Sequence, residues 1–153
     1  MNAYNFYRLA RWFYERKVPV IPKLIKSLIY LLFNSFVPYT AKIGKGTVFG
    51  YGGMGVVLHK NSVIGEKCLV GQQVTVGSNV AYFTKELMTD VPVIGNNVYI
   101  GAGAKILGNI KIGNNSVIGA NAVVIKDVPE NGIVAGVPAK LIRIKESVSE
   151  AVR

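Results

Sequence analysis

Between Pro92 and Asp127 an aliphatic residue falls at every sixth position, at Ile94, Ile100, Ile106, Ile112, Ile118 and Val124, and the phase holds through six cycles. Fixed self-similarity of this kind is a repeat and takes precedence over local propensity. Glycine follows the aliphatic residue at Gly95, Gly101, Gly113 and Gly119. Small or β-branched side chains, among them Val98, Ala104, Ser116 and Ala122, stand two residues before it. Neither a helix nor a simple strand has a period of six. A short extended segment followed by a corner does, with Gly or Asn in the corner because both tolerate positive φ. Three such sides close a coil of about eighteen residues, and coils stack roughly 4.8 Å apart with parallel hydrogen bonds between equivalent strands. The pattern predicts an all-β parallel β-helix. Each inward Val, Leu or Ile stacks on its counterpart in the next coil and contributes on the order of 1.5 to 3 kcal/mol.

The first 40 residues are different. Two helices are expected, Tyr4 to Lys17 and Lys23 to Phe36, separated by Pro19 and Pro22, which remove backbone donors and disfavour helix before them. The apolar run in the second is about ten residues, against the roughly twenty needed to cross a bilayer. It lies too late, with no small-x-small site after it, to resemble a cleavable signal. Two compatible readings remain for residues 1–40. The helices cap the open end of the prism, or they present a basic, aromatic face to an anionic membrane.

The repeat begins at Ala41, where Ile43 and Phe49 are six apart, and then breaks. Phe49 and Leu58 are nine apart, and the surplus lies in GYGGMG, so an outward bulge is expected at Gly50 to Gly55. The period resumes at Leu58, Ile64, Val70 and Val76. Ser78 to Val91 lacks it and reads as a loop thrown out of the coil, a natural place for function on a rigid scaffold. One last irregular coil with Gly136 and Pro138 precedes a polar tail. The organisation is a helical segment (1–40), a β-helix (41–143) and a tail (144–153).

Composition sharpens this only in part. Half of the 153 residues are hydrophobic and mean hydropathy is +0.34, ample for a core. The single cysteine, Cys68, falls at an inward small position and has a packing role. A net charge of +10 favours polyanionic partners. Nucleic acid is disfavoured, because no nucleic-acid module signature appears and the aromatics do not interleave with the basic residues of the repeat.

From about Ala41 to Arg143 the chain resembles the left-handed β-helix acyltransferases of the hexapeptide-repeat superfamily, above all the serine acetyltransferases and their relatives in bacterial polysaccharide gene clusters. The resemblance rests on AKIGKG (Ala41 to Gly46), IGAGAKILGNIKIG (Ile100 to Gly113) and AGVPAK (Ala135 to Lys140). It implies a left-handed coil, a homotrimer, and acetyl-CoA bound between neighbouring prisms along the Gly-Ala corners, here Gly101, Ala102, Gly119 and Ala120. It also implies an alcohol acceptor activated by histidine. A hydroxyl is a weak nucleophile towards a thioester, and imidazole takes its proton near neutral pH.

The departures from that pattern bear on the site. Serine acetyltransferases carry an Asp-His pair where this chain has Gly and Tyr within GYGGMG, and a second histidine where it has Val91. Only His59 is left, at an outward corner after Leu58, as the general base. Glu66, Asp90 and Glu86 are the candidate orienting carboxylates. Related prism-shaped carbonic anhydrases need three histidines, so no metal is expected. Loss of the acid beside the first histidine suggests an acceptor other than free serine. The expected function is acetyl-CoA-dependent O-acetylation of a saccharide, free or lipid-linked, in cell-surface polysaccharide synthesis, in the cytoplasm or at the inner face of the membrane. The alternatives are a serine O-acetyltransferase with a rearranged site and a non-catalytic trimeric scaffold.

Overall fold

Each hexad folds as a strand of two or three residues, and equivalent strands pair in parallel one coil apart. The structure, a computed structural model, describes residues 1–78 and 90–146. Side one stacks β1 (Lys42–Ile43), β4 (Val63–Ile64), β7 (Val93–Ile94) and β10 (Lys111–Ile112). Side two stacks β2 (Val48–Phe49), β5 (Leu69–Val70), β8 (Tyr99–Ile100), β11 (Val117–Ile118) and β13 (Gly132–Ala135), with β14 (Lys140–Ile144) beyond them. Side three stacks β3 (Val57–Leu58), β6 (Thr75–Gly77), β9 (Lys105–Leu107) and β12 (Val123–Val124). The register places Val70 opposite Ile100 and Ile100 opposite Ile118, so the period of six becomes a buried aliphatic column on each side.

The corners separate two roles that the sequence runs together. Positive φ falls three residues after the aliphatic one, at Asn97, Gly103, Asn115 and Asn121. The glycine directly after the aliphatic residue has no such backbone. It is needed because the next coil passes too close for a Cβ, which at Gly101 would stand 2.5 Å from the Ala120 nitrogen. At the corner between sides one and two, asparagines continue the ladder. Asn96 Oδ1 accepts from the Glu66 N–H, Asn114 Oδ1 accepts from the Asn96 N–H, and the Asn114 amide donates to Glu130, each at 2.8 Å.

Two helices close the first coil. Helix α1 (Ala3–Glu15) starts at Asn2, whose side chain accepts from the Tyr4 N–H, and α2 (Ile21–Phe33) starts earlier than expected. Pro22 sits in the first turn of α2, where no N–H donor is required. Asn34, at φ 50°, stops that helix before Phe36. From α1 the Tyr7 hydroxyl donates to the Ala41 carbonyl at 2.7 Å and accepts from the Ile43 N–H at 3.2 Å. Tyr4 donates to the Gly44 carbonyl at 2.8 Å, and Arg11 Nη1 donates to the carbonyls of Tyr39, Thr40 and Ala41. These side chains occupy the β1 edge, where a further coil would otherwise pair. The capping reading of residues 1–40 therefore describes the packing seen.

The expected outward bulge at GYGGMG is instead folded against this cap. Gly50–Gly53 form one tight turn with Tyr51 at φ 50°, and Gly53 is buried so closely that a Cβ would meet Phe49 and Ala3. The Ser35 hydroxyl donates to the Gly53 carbonyl at 2.6 Å, and the Gly55 N–H donates to the Phe33 carbonyl. Tyr51 and Met54 alone of this stretch face solvent strongly.

The last coil also differs from expectation. At Gly136 (φ 97°) and Pro138 the chain turns back, and β14 pairs antiparallel with β13 to finish side two. The Ala139 N–H donates to the Val123 carbonyl, closing side three as well.

Close coil contact makes a specific demand on sequence. Gly101→Ala is expected to destabilise the fold by about 1 to 3 kcal/mol through overpacking. Asn115→Gly, which keeps the left-handed backbone accessible, should change it by less than about 1 kcal/mol. Urea denaturation of the two variants checks the contrast.

Candidate active site

His59 follows β3 and stands at the edge between sides three and one, half-buried. Its backbone is held by the ladder: its N–H donates to the Val76 carbonyl at 2.8 Å, and its carbonyl accepts from the Ser62 N–H at 3.0 Å. The ring is held by one weak contact, Nδ1 accepting from the Asn61 N–H at 3.2 Å. That contact places the neutral proton on Nε2, so the imidazole lone pair lies on Nδ1. Burial, and then the neighbouring Lys60 ammonium, pushes the imidazole below its ordinary value of 6.5, which keeps the ring neutral and able to accept a proton. One coil away Gly77 stands level with His59, and a Cβ there would meet nothing within 4 Å among the described residues.

The candidate carboxylates divide. Asp90 is half-buried and stands shortly before β7, as His59 stands shortly before β4, at the entry to side one. Glu66 stands exposed on the edge between sides one and two, a full side away, and is not an orienting partner of His59. Sequence proximity misleads there because seven residues carry the chain past a whole corner. Glu86, with most of the Ser78 to Val91 stretch, lies outside the described residues. Among the described residues no carboxylate hydrogen-bonds the imidazole. Lys60, which biases His59, was not singled out from the sequence, although adjacency to the sole histidine is a readable signal.

Gly101, Ala102, Gly119 and Ala120 fall together on the edge between sides two and three. Their smallness has a structural cause in the coil contact at Gly101, and Gly119 likewise lies where a Cβ would stand 2.9 Å from that of Ala135. Tyr51 (79 % exposed) and Met54 stand at the same edge in the first coil, a placement that the period alone could not give because the register break hides it. Within one chain, His59 and the Gly-Ala edge border opposite margins of side three. Cys68 belongs to neither. Burial pushes its thiol up, and Sγ donates to the Gly95 carbonyl at 3.1 Å, in keeping with packing. Among the described residues no group of three or more His, Cys, Asp and Glu side chains converges.

A parallel prism of stacked hexads defines a fold, and comparison with known proteins agrees with it. Residues 92–126 match a family profile described as "Bacterial transferase hexapeptide (six repeats)". A serine acetyltransferase from Synechococcus elongatus is 42 % identical over 136 residues, 89 % of this chain and 54 % of the relative. One from Synechocystis is 38 % identical over 93 % of this chain and 55 % of the relative. The chain thus spans about half the length of these curated relatives. A solved serine acetyltransferase from Brucella abortus in complex with coenzyme A superposes with a TM-score of 0.85 at 33 % identity, covering 95 % of this chain and 56 % of that one. The chain thus carries the hexapeptide repeat over residues 92–126 and folds as a left-handed parallel β-helix like that of the serine acetyltransferases on which it superposes.

As the chain holds a single histidine, its ring resonances need no assignment. An NMR titration is expected to give a midpoint below 6.5. Lys60→Met should move it upward, because removing a positive neighbour favours the charged ring.

Proposed function

We propose that this chain is an acetyl-CoA-dependent O-acetyltransferase of the serine acetyltransferase type with a rearranged site. The observation that carries the reading is similarity along nearly the whole chain, 42 % identity over 89 % of it, to a serine acetyltransferase. The expectation of a saccharide acceptor in polysaccharide synthesis is corrected by the same finding, for the relatives and the superposed structures bear the serine acetyltransferase name. That expectation leaned on one missing acid. One absent side chain constrains the acceptor less than resemblance over the full prism.

In this reading the acceptor hydroxyl takes the place of the Asn61 N–H at Nδ1 of His59, a contact long enough to be given up readily. The imidazole removes the hydroxyl proton as oxygen attacks the thioester carbonyl, and the CoA thiolate departs and is protonated. The Asn61 N–H, freed, is a backbone donor beside the reacting atoms. Acetyl-CoA lies along the edge of Gly101, Ala102, Gly119 and Ala120, where the absence of long side chains lets an extended pantetheine approach the backbone.

Support for a homotrimer comes from side two. Its outward row, Val48, Leu69, Tyr99, Val117 and Ile133, is apolar through five coils in register, whereas Lys42 and Lys111 interrupt side one and Lys105 interrupts side three. Val48, Leu69 and Tyr99 are each 41 to 53 % exposed in the single chain. A neighbour covering that row would bring a second wall to the CoA edge.

Acetyl-CoA with L-serine should release thiol, and His59→Ala should lower kcat by roughly 10² to 10⁴ with CoA affinity nearly unchanged. Acetyl-CoA left intact by serine would overturn the acceptor assignment. Light scattering should return three chains for the native protein and a smaller mass for Leu69→Asp, which places a charge in the apolar row.

A further inference from the structure

Helix α2 has two apolar faces and only one of them is covered. Pro22, Ile29 and Phe33 are buried against the cap. On the far side Leu24 is 63 % and Leu31 77 % exposed, with Ile21, Leu28 and Leu32 exposed beside them. At about 100° per residue these five fall within an arc of roughly 120°. Lys23 projects from the flank between the covered and uncovered faces, whereas Lys26 lies beside the covered residues, half-buried, 5.2 Å from the centre of the Phe36 ring. At the end of α1 Arg16 stacks on the exposed Trp12 at 3.7 Å. The first 40 residues hold six basic side chains and one acid, Glu15, which is bound to Arg11 at 2.7 Å.

We propose that the outer face of α2 lies in the plane of an anionic lipid surface, its leucines in the acyl boundary and the exposed Lys23 and Arg16 reaching the headgroups. The geometry carries the choice of in-plane seating. The helix has 13 residues, and among the described residues no helix is long and apolar enough to cross a membrane. A contiguous aliphatic arc on a short helix within a strongly basic segment is the pattern of interfacial helices. Charge selects lipid over a second copy. Two such faces brought together would oppose like charges, whereas anionic headgroups neutralise them and the stems of Lys23 and Arg16 extend along the apolar layer to reach them. Chemistry at the His59 edge has no part in this assignment.

The test uses the full chain with sedimented vesicles, either phosphatidylcholine alone or containing about one third phosphatidylglycerol. The native protein is expected to sediment with the anionic vesicles, and raised salt should weaken this. Leu28→Asn combined with Leu31→Asn should lower partitioning at least about tenfold, and Lys23→Gln combined with Arg16→Gln should remove most of the preference for anionic lipid. Leu28, Leu31, Lys23 and Arg16 are all exposed, so thermal melting should be unchanged and the loss is not unfolding. Native protein left in the supernatant with both vesicle types overturns the proposal, as does equal binding to neutral and anionic vesicles or undiminished binding by the leucine variant. So does a lipid-free doubling of the native mass in light scattering that the leucine variant abolishes, which would make the face a contact between copies.

Discussion

The ladder of parallel hydrogen bonds from coil to coil is the interaction on which everything else in this molecule rests. It supplies every strand with partners above and below, and by the same token it leaves three bare sheet edges at each end of the prism. Unpaired edges invite pairing with other chains. Both ends are closed by devices that end the ladder. At one, the Tyr7 hydroxyl both donates to the Ala41 carbonyl and accepts from the Ile43 N–H, standing in for a strand. At the other, β14 reverses direction on β13, and Ala139 takes up the Val123 carbonyl. The aromatic composition of residues 1–40 thus has two uses, since Tyr4 and Tyr7 face the prism while Trp12 and Tyr14 remain exposed.

The ladder also explains why the coil was legible in the sequence. Equivalent residues in successive coils meet the same environment, so the aliphatic columns from Ile94 to Val124 had to recur at one period. The corner glycines were legible in position and misread in cause. Gly101 is set by the passage of Ala120 close to its α-carbon, while the left-handed backbone is carried by residues such as Asn115 and Asn121. What the sequence could not convey was where the period's breaks would go. The three residues added at GYGGMG had no counterpart in other coils, and the α1–α2 hairpin, distant in sequence, decided that they fold under Phe33 and Ser35.

The candidate site shows a similar division. His59 was visible because it is the sole imidazole and breaks the corner pattern. Its surroundings were not, because the edge on which a residue stands depends on counting around a triangular path. Glu66, seven residues away, falls on another edge, whereas Asp90, thirty-one residues away, returns to the same one. Lys60 matters through the charge it adds beside the ring.

The uniformity of the coils has a consequence for how such a molecule changes over generations. Any stretch of about eighteen residues that begins and ends at the same corner can be duplicated in register, and the new coil finds above and below it the partners that its neighbours already had. Neither the tyrosine clasp at one end nor the returning strand at the other would register the insertion. Prism height is therefore free to vary by copying, while the two ends, each closed by contacts that the repeat does not contain, are inherited as fixed parts.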